Sequence, residues 1–443
     1  MQINAADSTP GVADEFLGKK VFLYGAHPEE ILKGPPKQIL ATRYGAICVG
    51  TKDGAVWITH MKEAKGGTYT YKLRSTQILG ADKVANVPCS ECEVLPCVTK
   101  DMKKTYRQIW YEECGDVGIL NFDFYNGAMD TDQCNRLTNA YLKASQRPTK
   151  VLVISGGKDF FSNGVHLNNI HAAADPAMES WYNINAINGI CKAIVMNTKQ
   201  ITLSAVHGGT GAGGVYLAIA CDYVAVRDGA VMNPHYKSMG LYGSELHTYT
   251  APQRVGVDMA EHLKERCLPI SADTAKNMKL IDCVLPKKDF NKSVQTIAQN
   301  LAAEYPKLIK QKVANFKRSK VTQAITNAEA KELSIMYDNF IGSTYNTARH
   351  NFVRKIGVTE TPPHLANCDM GVFKVKPPQV DGKILDGEAV AANMKISLVD
   401  MIAKRKKKDP TFTPGLTIIQ VGNRGDSALY IKKKLEMAKV MVK

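Results

Sequence analysis

The sequence has no uninterrupted apolar run of membrane-spanning length, so no transmembrane helix is read in it. Met1 to Lys20 has neither the apolar core of a secretion signal nor the arginine-rich, acid-poor look of a transit peptide. That predicts a cytoplasmic protein with no membrane contact. No second Cys-x-x-Cys and no histidine pair accompanies Cys89-x-x-Cys92, Cys97 and Cys114. A zinc site therefore stands behind free thiols in a connecting segment, and no metal is expected. The eleven cysteines are scattered, as suits a reducing compartment. Acidic residues are the scarcer charge, 42 against 57 lysines and arginines, for a formal charge of +15. The excess gathers in Lys307–Lys320 and Lys404–Lys408, yet no aromatic-interleaved motif, zinc finger or RNA-binding signature accompanies it. Nucleic acid is thus disfavoured. Solvated helix faces are the first reading of each run, and cations for the nucleotide end of a phosphorylated cofactor such as coenzyme A are another.

Composition is otherwise that of a globular chain, 44% apolar and 22% charged, and 443 residues are too many for one core. Two glycine-bearing segments carry most of the information. Gly156–Leu167 follows the apolar strand Val151–Ile154, and Ala205–Tyr216 follows the short strand Ile201–Leu203. Each sets bare backbone N–H groups at a strand-to-helix turn, where they can point at an incoming oxygen. Two such donors converging on one carbonyl make an oxyanion hole. No Gly-Lys-Ser/Thr follows either turn, which disfavours a P-loop.

The order of patterns predicts several parts. Residues 18–85 read as a small β-barrel, with Lys52-Asp53-Gly54 as a hairpin turn, and 86–110 as a connector. Strand–helix alternation fills 111–350, beginning at Gly118–Phe122 and a polar helix from Thr131 to Ser145. A proline-punctuated linker over 351–382 leads to a last module over 383–443, whose final helix runs into the terminus without a stop signal. That ending reads as cut.

Gly157–Gly164, Ser204–Gly208, Gly211–Ala218, Cys221–Ala225 and Ile270–Asp282 resemble, in order, the crotonase (enoyl-CoA hydratase/isomerase) superfamily. The resemblance implies an α/β fold of repeated ββα units in a spiral, CoA-thioester substrates, and trimers or hexamers. It also implies that Val165 and Gly213 donate the oxyanion-hole N–H groups, with Phe161, Ser162, Asn163, Gly164, Gly214 and Tyr242 around the CoA and acyl pocket. Where hydratases of this family keep two catalytic glutamates, the chain has Tyr216 and His235. Hydration needs a carboxylate pair, and a phenol with an ordinary pKa near 10 is a poor base. Tyr216, His235 and Tyr236 are the expected catalytic residues, His235 being the group suited to moving a proton near neutral pH. A polar wall beside the ligand is nearly as good a reading of His235 and Tyr236.

Asp123–Met129, Glu179–Ala186 and Asn233–Glu245 narrow the resemblance to hydrogenase-maturation factors of the HypX (HoxX) type. Phe22–Pro28 and Asp53–His60 look like the barrel that ends that family's formyltransferase part. The resemblance implies formyl-CoA as substrate, carbon monoxide as product and the hydrogenase-maturation machinery as partner. The catalytic formyltransferase lobe is expected upstream of residue 1, leaving the chain unable to make its own formyl-CoA. Ile384–Gly387, Pro414–Arg424 and Asp426–Lys434 resemble the start of methylenetetrahydrofolate dehydrogenase/cyclohydrolase. There Tyr430 would stack on tetrahydrofolate and Lys434, a helical turn on, would be the acid/base. With the rest of that enzyme missing, the partial module is expected to be inactive alone. A general enoyl-CoA hydratase/isomerase and a non-catalytic CoA-binding scaffold are the alternatives.

Overall fold

The computed structural model describes residues 11–65, 70–90, 95–99, 102–356, 399–407, 409–410 and 412. They fall in two units, divided between Met370 and Gly371. The first opens with strands β1 (Val12–Phe16), β2 (Lys19–Glu29), β3 (Ile39–Arg43), β4 (Ala46–Gly50), β5 (Ala55–Glu63) and β6 (Leu73–Arg74). They pair antiparallel in the order β1-β2-β5-β4-β3, with β6 on β5. Thr51 N donates to the Gly54 carbonyl at 2.9 Å, closing the turn read from Asp53-Gly54. Period-two alternation sends Val21, Leu23, Ile47 and Val49 to one buried cluster and Ala46, Cys48 and Trp57 to another. The sheet therefore has apolar cover on both faces. It also starts earlier than residue 18, because the charged Val12–Phe16 pairs as an edge strand on β2.

The alternating region forms two sheets. Strands β7 (Ile109–Cys114), β8 (Val117–Phe122), β9 (Val151–Ser155), β10 (Phe160–Ser162), β11 (Ile201–Val206), β12 (Gly209–Gly211), β13 (Tyr223–Arg227), β14 (Val231–Asn233), β15 (Ile270–Ser271) and β16 (Cys283–Leu285) supply them. One sheet runs β16-β13-β11-β9-β8-β7 and is parallel except for β7 on β8. The other runs β10-β12-β14-β15. A strand of the large sheet, a short turn, a strand of the small sheet and a helix make one repeat, as in β9–β10 and β11–β12. The fold is the crotonase ββα spiral.

Two helices of this region illustrate how local chemistry fixes the frame. Thr131–Ala144 starts on a capping box, Asp130 accepting from Gln133 N at 2.9 Å while Gln133 Oε1 accepts from Asp130 N at 3.0 Å. Pro176–Val195 starts on Asp175 with proline in its first turn and buries Ile184, Ile187, Cys191 and Ile194 along one face. Each such aliphatic side chain contributes about 1.5–3 kcal/mol at most.

The N-terminal sheet, which pairs as an open order rather than a closed barrel, meets the spiral directly. Lys72 Nζ donates to Tyr125 Oη at 2.7 Å, Asn168 Nδ2 to the Lys72 carbonyl at 2.9 Å, and Arg74 is ion-paired with Asp130. After β16, the described residues of the first unit continue in four helices: Phe290–Ala303, Tyr305–Arg318, Val321–Ile341 and Ser343–Arg354. The basic run lies on the second of these, where Lys312 bonds Asp222 at 2.6 Å. In the second unit, 399–407 is helical and Lys404 pairs with Asp400 at 2.6 Å. Tyr430, Lys434 and most of the module read over 383–443 lie outside the described residues. Cys89 and Cys97 each bridge to a strand residue, Thr42 and Tyr111, while Cys92 lies outside the described residues.

Candidate functional site

The two glycine turns touch. A Cβ on Gly164, whose φ is +75°, would lie 3.2 Å from the Gly213 nitrogen, and one on Gly214 would overlap the Ser162 carbonyl. Glycine is required at both places, at one by backbone sign and at the other by close approach. Gly213 opens the helix Gly213–Ile219. Among the described residues, neither its amide nor that of Val165 has a protein acceptor. Ala212, just before, has φ 47° and ψ −126°, a conformation alanine rarely takes, held by Ala212 N donating to Asn233 O at 2.8 Å. Strain of this kind costs on the order of 1–3 kcal/mol and gathers at functional sites.

A carboxylate stands immediately behind this turn. Glu245 is 1% exposed, and its Oε1 lies so near the Gly213 Cα that a methyl there would overlap it. Its Oε2 accepts from Tyr236 Oη at 2.7 Å and from Ser244 N at 3.2 Å. Burial, and then the charge of Glu332, push the Glu245 pKa up to about 7. Tyr216 stacks on Tyr236 at 5.4 Å between ring centroids, and its hydroxyl donates to the Pro234 carbonyl at 3.1 Å. Burial and the Glu245 charge raise both phenols above their ordinary range. His247 sits against Tyr216, Tyr236 and Tyr242 at 5.3–5.7 Å, and its buried Nε2 has no hydrogen-bond partner.

In front of the turn lies a cavity of about 1480 Å³, walled by the N-terminal sheet and the spiral together. Val165, Gly211, Ala212, Asn233 and His235 form part of it, and Tyr24, His60 and Lys72 part of the facing side. His60 stacks on Tyr125 at 4.2 Å, and burial lowers the pKa of both His60 and His166, the latter to about 4. Burial also lowers that of half-buried His235, whose Nδ1 is 3.3 Å from Ser238 Oγ. Lys62, Lys72 and Lys355 reach the cavity. His171 and His350 lie close by, and the charges of Arg349, Arg354 and His350 lower the His171 pKa further after burial. The Nε atoms of Arg349 and Arg354 are buried without partners.

Of the residues expected around the pocket, Asn163, Val165 and His235 line the cavity. The others take different places. Phe161 is core, edge-on to Phe122 at 5.2 Å, because β10 turns it inward. Ser162 Oγ is engaged by Gly164 N and Met129 Sδ, Gly164 and Gly214 are the packing glycines of the turn, and Tyr242 lies under Lys264 at 4.9 Å, off the cavity wall. Glu245 went unassigned in the sequence reading although it closes the Asn233–Glu245 segment. A glutamate two residues past Gly243, in a stretch otherwise poor in charge, was its one signal.

Residues 1–73 match the formyl transferase C-terminal domain family, and 123–357 the enoyl-CoA hydratase/isomerase family. The hydrogenase maturation factor HoxX of Bradyrhizobium diazoefficiens is 36% identical over 82% of this chain and 63% of its own length. The crystal structure of HypX from Aquifex aeolicus in complex with tetrahydrofolic acid superposes with TM-score 0.77 and 42% identity, over 82% of this chain and 64% of that one. This chain thus spans less than two thirds of either relative. Human cytoplasmic C-1-tetrahydrofolate synthase is 45% identical over 56 residues, 13% of this chain and 6% of that protein, a likeness too short to carry the dehydrogenase/cyclohydrolase fold. With more than half of its residues inside the matched span, the chain belongs to the enoyl-CoA hydratase/isomerase family, joins to it a formyl transferase C-terminal domain, and is HoxX- and HypX-like across both.

Proposed function

We propose that this chain is a CoA-thioester enzyme of one-carbon metabolism that releases carbon monoxide from formyl-CoA in hydrogenase maturation. The observation that carries this reading is the buried Glu245 carboxyl packed against Gly213, beside the unpartnered amides of Val165 and Gly213. The two amides polarise the formyl oxygen and make the formyl C–H more acidic. Glu245 takes that proton as a general base whose pKa suits neutral pH. The C–H pair becomes the lone pair on carbon of CO, the C–S bond breaks, and its pair leaves on sulfur. The proton returns to give free CoA, so formyl-CoA yields CO and CoA with nothing else consumed. Tyr236 aligns the base. The lysines of the cavity, with Arg349 and Arg354 behind, suit the phosphates of CoA.

Ordinary hydration fits less well. It asks for two carboxylates on one water, and the other buried glutamate of the spiral, Glu332, has both oxygens occupied by the backbone and hydroxyls of 244–248. Tetrahydrofolate is part of the proposal for the C-terminal segment, through Tyr430 and Lys434. Both residues lie outside the described ones. The test supplies formyl-CoA to the purified chain and measures CO and free CoA. Equal release of the two, with crotonyl-CoA untouched, supports the reading. No turnover above buffer, with CoA still bound in calorimetry, favours the scaffold instead.

A further inference from the structure

Glu245 and Leu246 both have left-handed backbone, each with φ 59°. Neither residue type takes that conformation readily, and two in succession need external restraint. The restraint comes from a helix far along the chain. Glu332, in the middle of Val321–Ile341, is 0% exposed. Its Oε2 accepts from Leu246 N at 3.0 Å and Ser244 Oγ at 3.3 Å, and its Oε1 from Thr248 N at 2.8 Å and Thr248 Oγ1 at 2.6 Å. His247 Nδ1 lies 3.3 Å from Oε1. The opposite side of the turn is held by Asn188, whose Oδ1 accepts from Glu245 N at 2.8 Å. Every one of these donors flanks Glu245, and none of them is a substrate-facing group.

We propose that Glu332 is the positioning residue of this site: its carboxylate gathers the Ser244–Thr248 turn and so holds Glu245 against Gly213. This rests on the reading of Glu245 as base, which it deepens. A carboxylate is suited to the task because both its oxygens accept and neither has a hydrogen to present to the converging amides. A glutamine in its place would aim an N–H₂ at one pair of those donors. Glu332 also acts on Glu245 through space, its charge being one cause of the raised Glu245 pKa. The other ionisable groups facing Glu245 are Tyr216, Tyr236, His247, Cys134 and Cys191, from the surrounding helices and the 236–247 segment.

The test follows the Glu245 carboxyl itself, by difference infrared titration of the full chain against Glu245→Gln, in the parent and in Glu332→Gln. The expected result is a fall of the Glu245 midpoint by about one pH unit as a neighbouring like charge is removed. With formyl-CoA, kcat should drop roughly tenfold at unchanged KM, since a displaced base costs rate rather than binding. Thr248→Val deletes one of the hydroxyl bonds to Glu332 while keeping its charge, and should lower kcat severalfold without moving the midpoint far. That milder variant keeps the question open to measurement if Glu332→Gln fails to fold. An unmoved midpoint in Glu332→Gln, or a Thr248→Val enzyme with full kcat, overturns the proposal. If the parent releases no CO at all, the functional reading fails, and the infrared midpoint still decides the role of Glu332.

Discussion

Glu29 in the N-terminal sheet and Glu245 in the spiral are both buried glutamates, 5% and 1% exposed, and their acidities move in opposite directions. Burial pushes Glu29 up, but hydrogen bonds from Thr105, Trp57 Nε1 at 2.5 Å, Leu32 N and Ile31 N outweigh it and hold the carboxyl below its ordinary range. Glu245 has bonds to one oxygen only, from Tyr236 and Ser244, and burial wins. Saturation separates the two. A buried carboxylate with every lone pair answered is a strut, and one left partly unanswered holds its proton more readily.

The largest contrast is expected from removing each charge. Glu245→Gln should abolish CO release, by about 10²–10⁴-fold, the usual worth of a general base. Glu29→Gln should leave turnover alone and lower stability by roughly 1–3 kcal/mol, because two of its four donors lose an acceptor. Thermal melts and CO assays on the two variants check this directly.

The pH dependence sharpens the same comparison. Folding raises the Glu245 pKa from the ordinary 4.5 to about 7, so the folded state disfavours the charged form. Stability is therefore fully kept below the unfolded value and erodes as pH rises towards about 7, by on the order of 3 kcal/mol in all. Glu245→Gln should accordingly melt higher than the parent at pH 8 and lose that advantage near pH 4. Turnover should rise with pH through about 7 as the base form appears.

Smaller effects follow from glycine and hydroxyl changes. Gly213→Ala, whose methyl would overlap the Glu245 carboxyl, should cut turnover by roughly 10²-fold through displacement of the base. Gly115→Ala, at φ +59° with nothing within 4 Å of the new methyl, should cost only about 1 kcal/mol of stability, with turnover unchanged. Tyr236→Phe removes a bond that lowers the Glu245 pKa, so the midpoint of the rate profile should move up and the rate at pH 7 fall severalfold.

The two glycine turns were legible because their requirement is local: a strand, then glycines where backbone must approach backbone. The hairpin at Asp53-Gly54 and the helix from Thr131 were legible for the same reason. Glu245 was not. Its placement depends on two consecutive left-handed residues that no propensity favours, and on Glu332 and Asn188 arriving from distant helices to hold them. Phe161 was misplaced because three residues of strand do not reveal which face is core. His235 was expected among the catalytic residues from its intrinsic acidity. The structure sets it on the cavity wall, and in the proposed reaction the base is Glu245 instead.

The most direct measurement is a structure of this chain with acetyl-CoA bound as an unreactive stand-in for the formyl thioester. The thioester oxygen should lie about 3 Å from both the Val165 and Gly213 nitrogens, with Glu245 Oε1 facing the acyl carbon. An acyl group seated elsewhere, with those amides pointing apart or Glu245 turned from the ligand, would contradict the account.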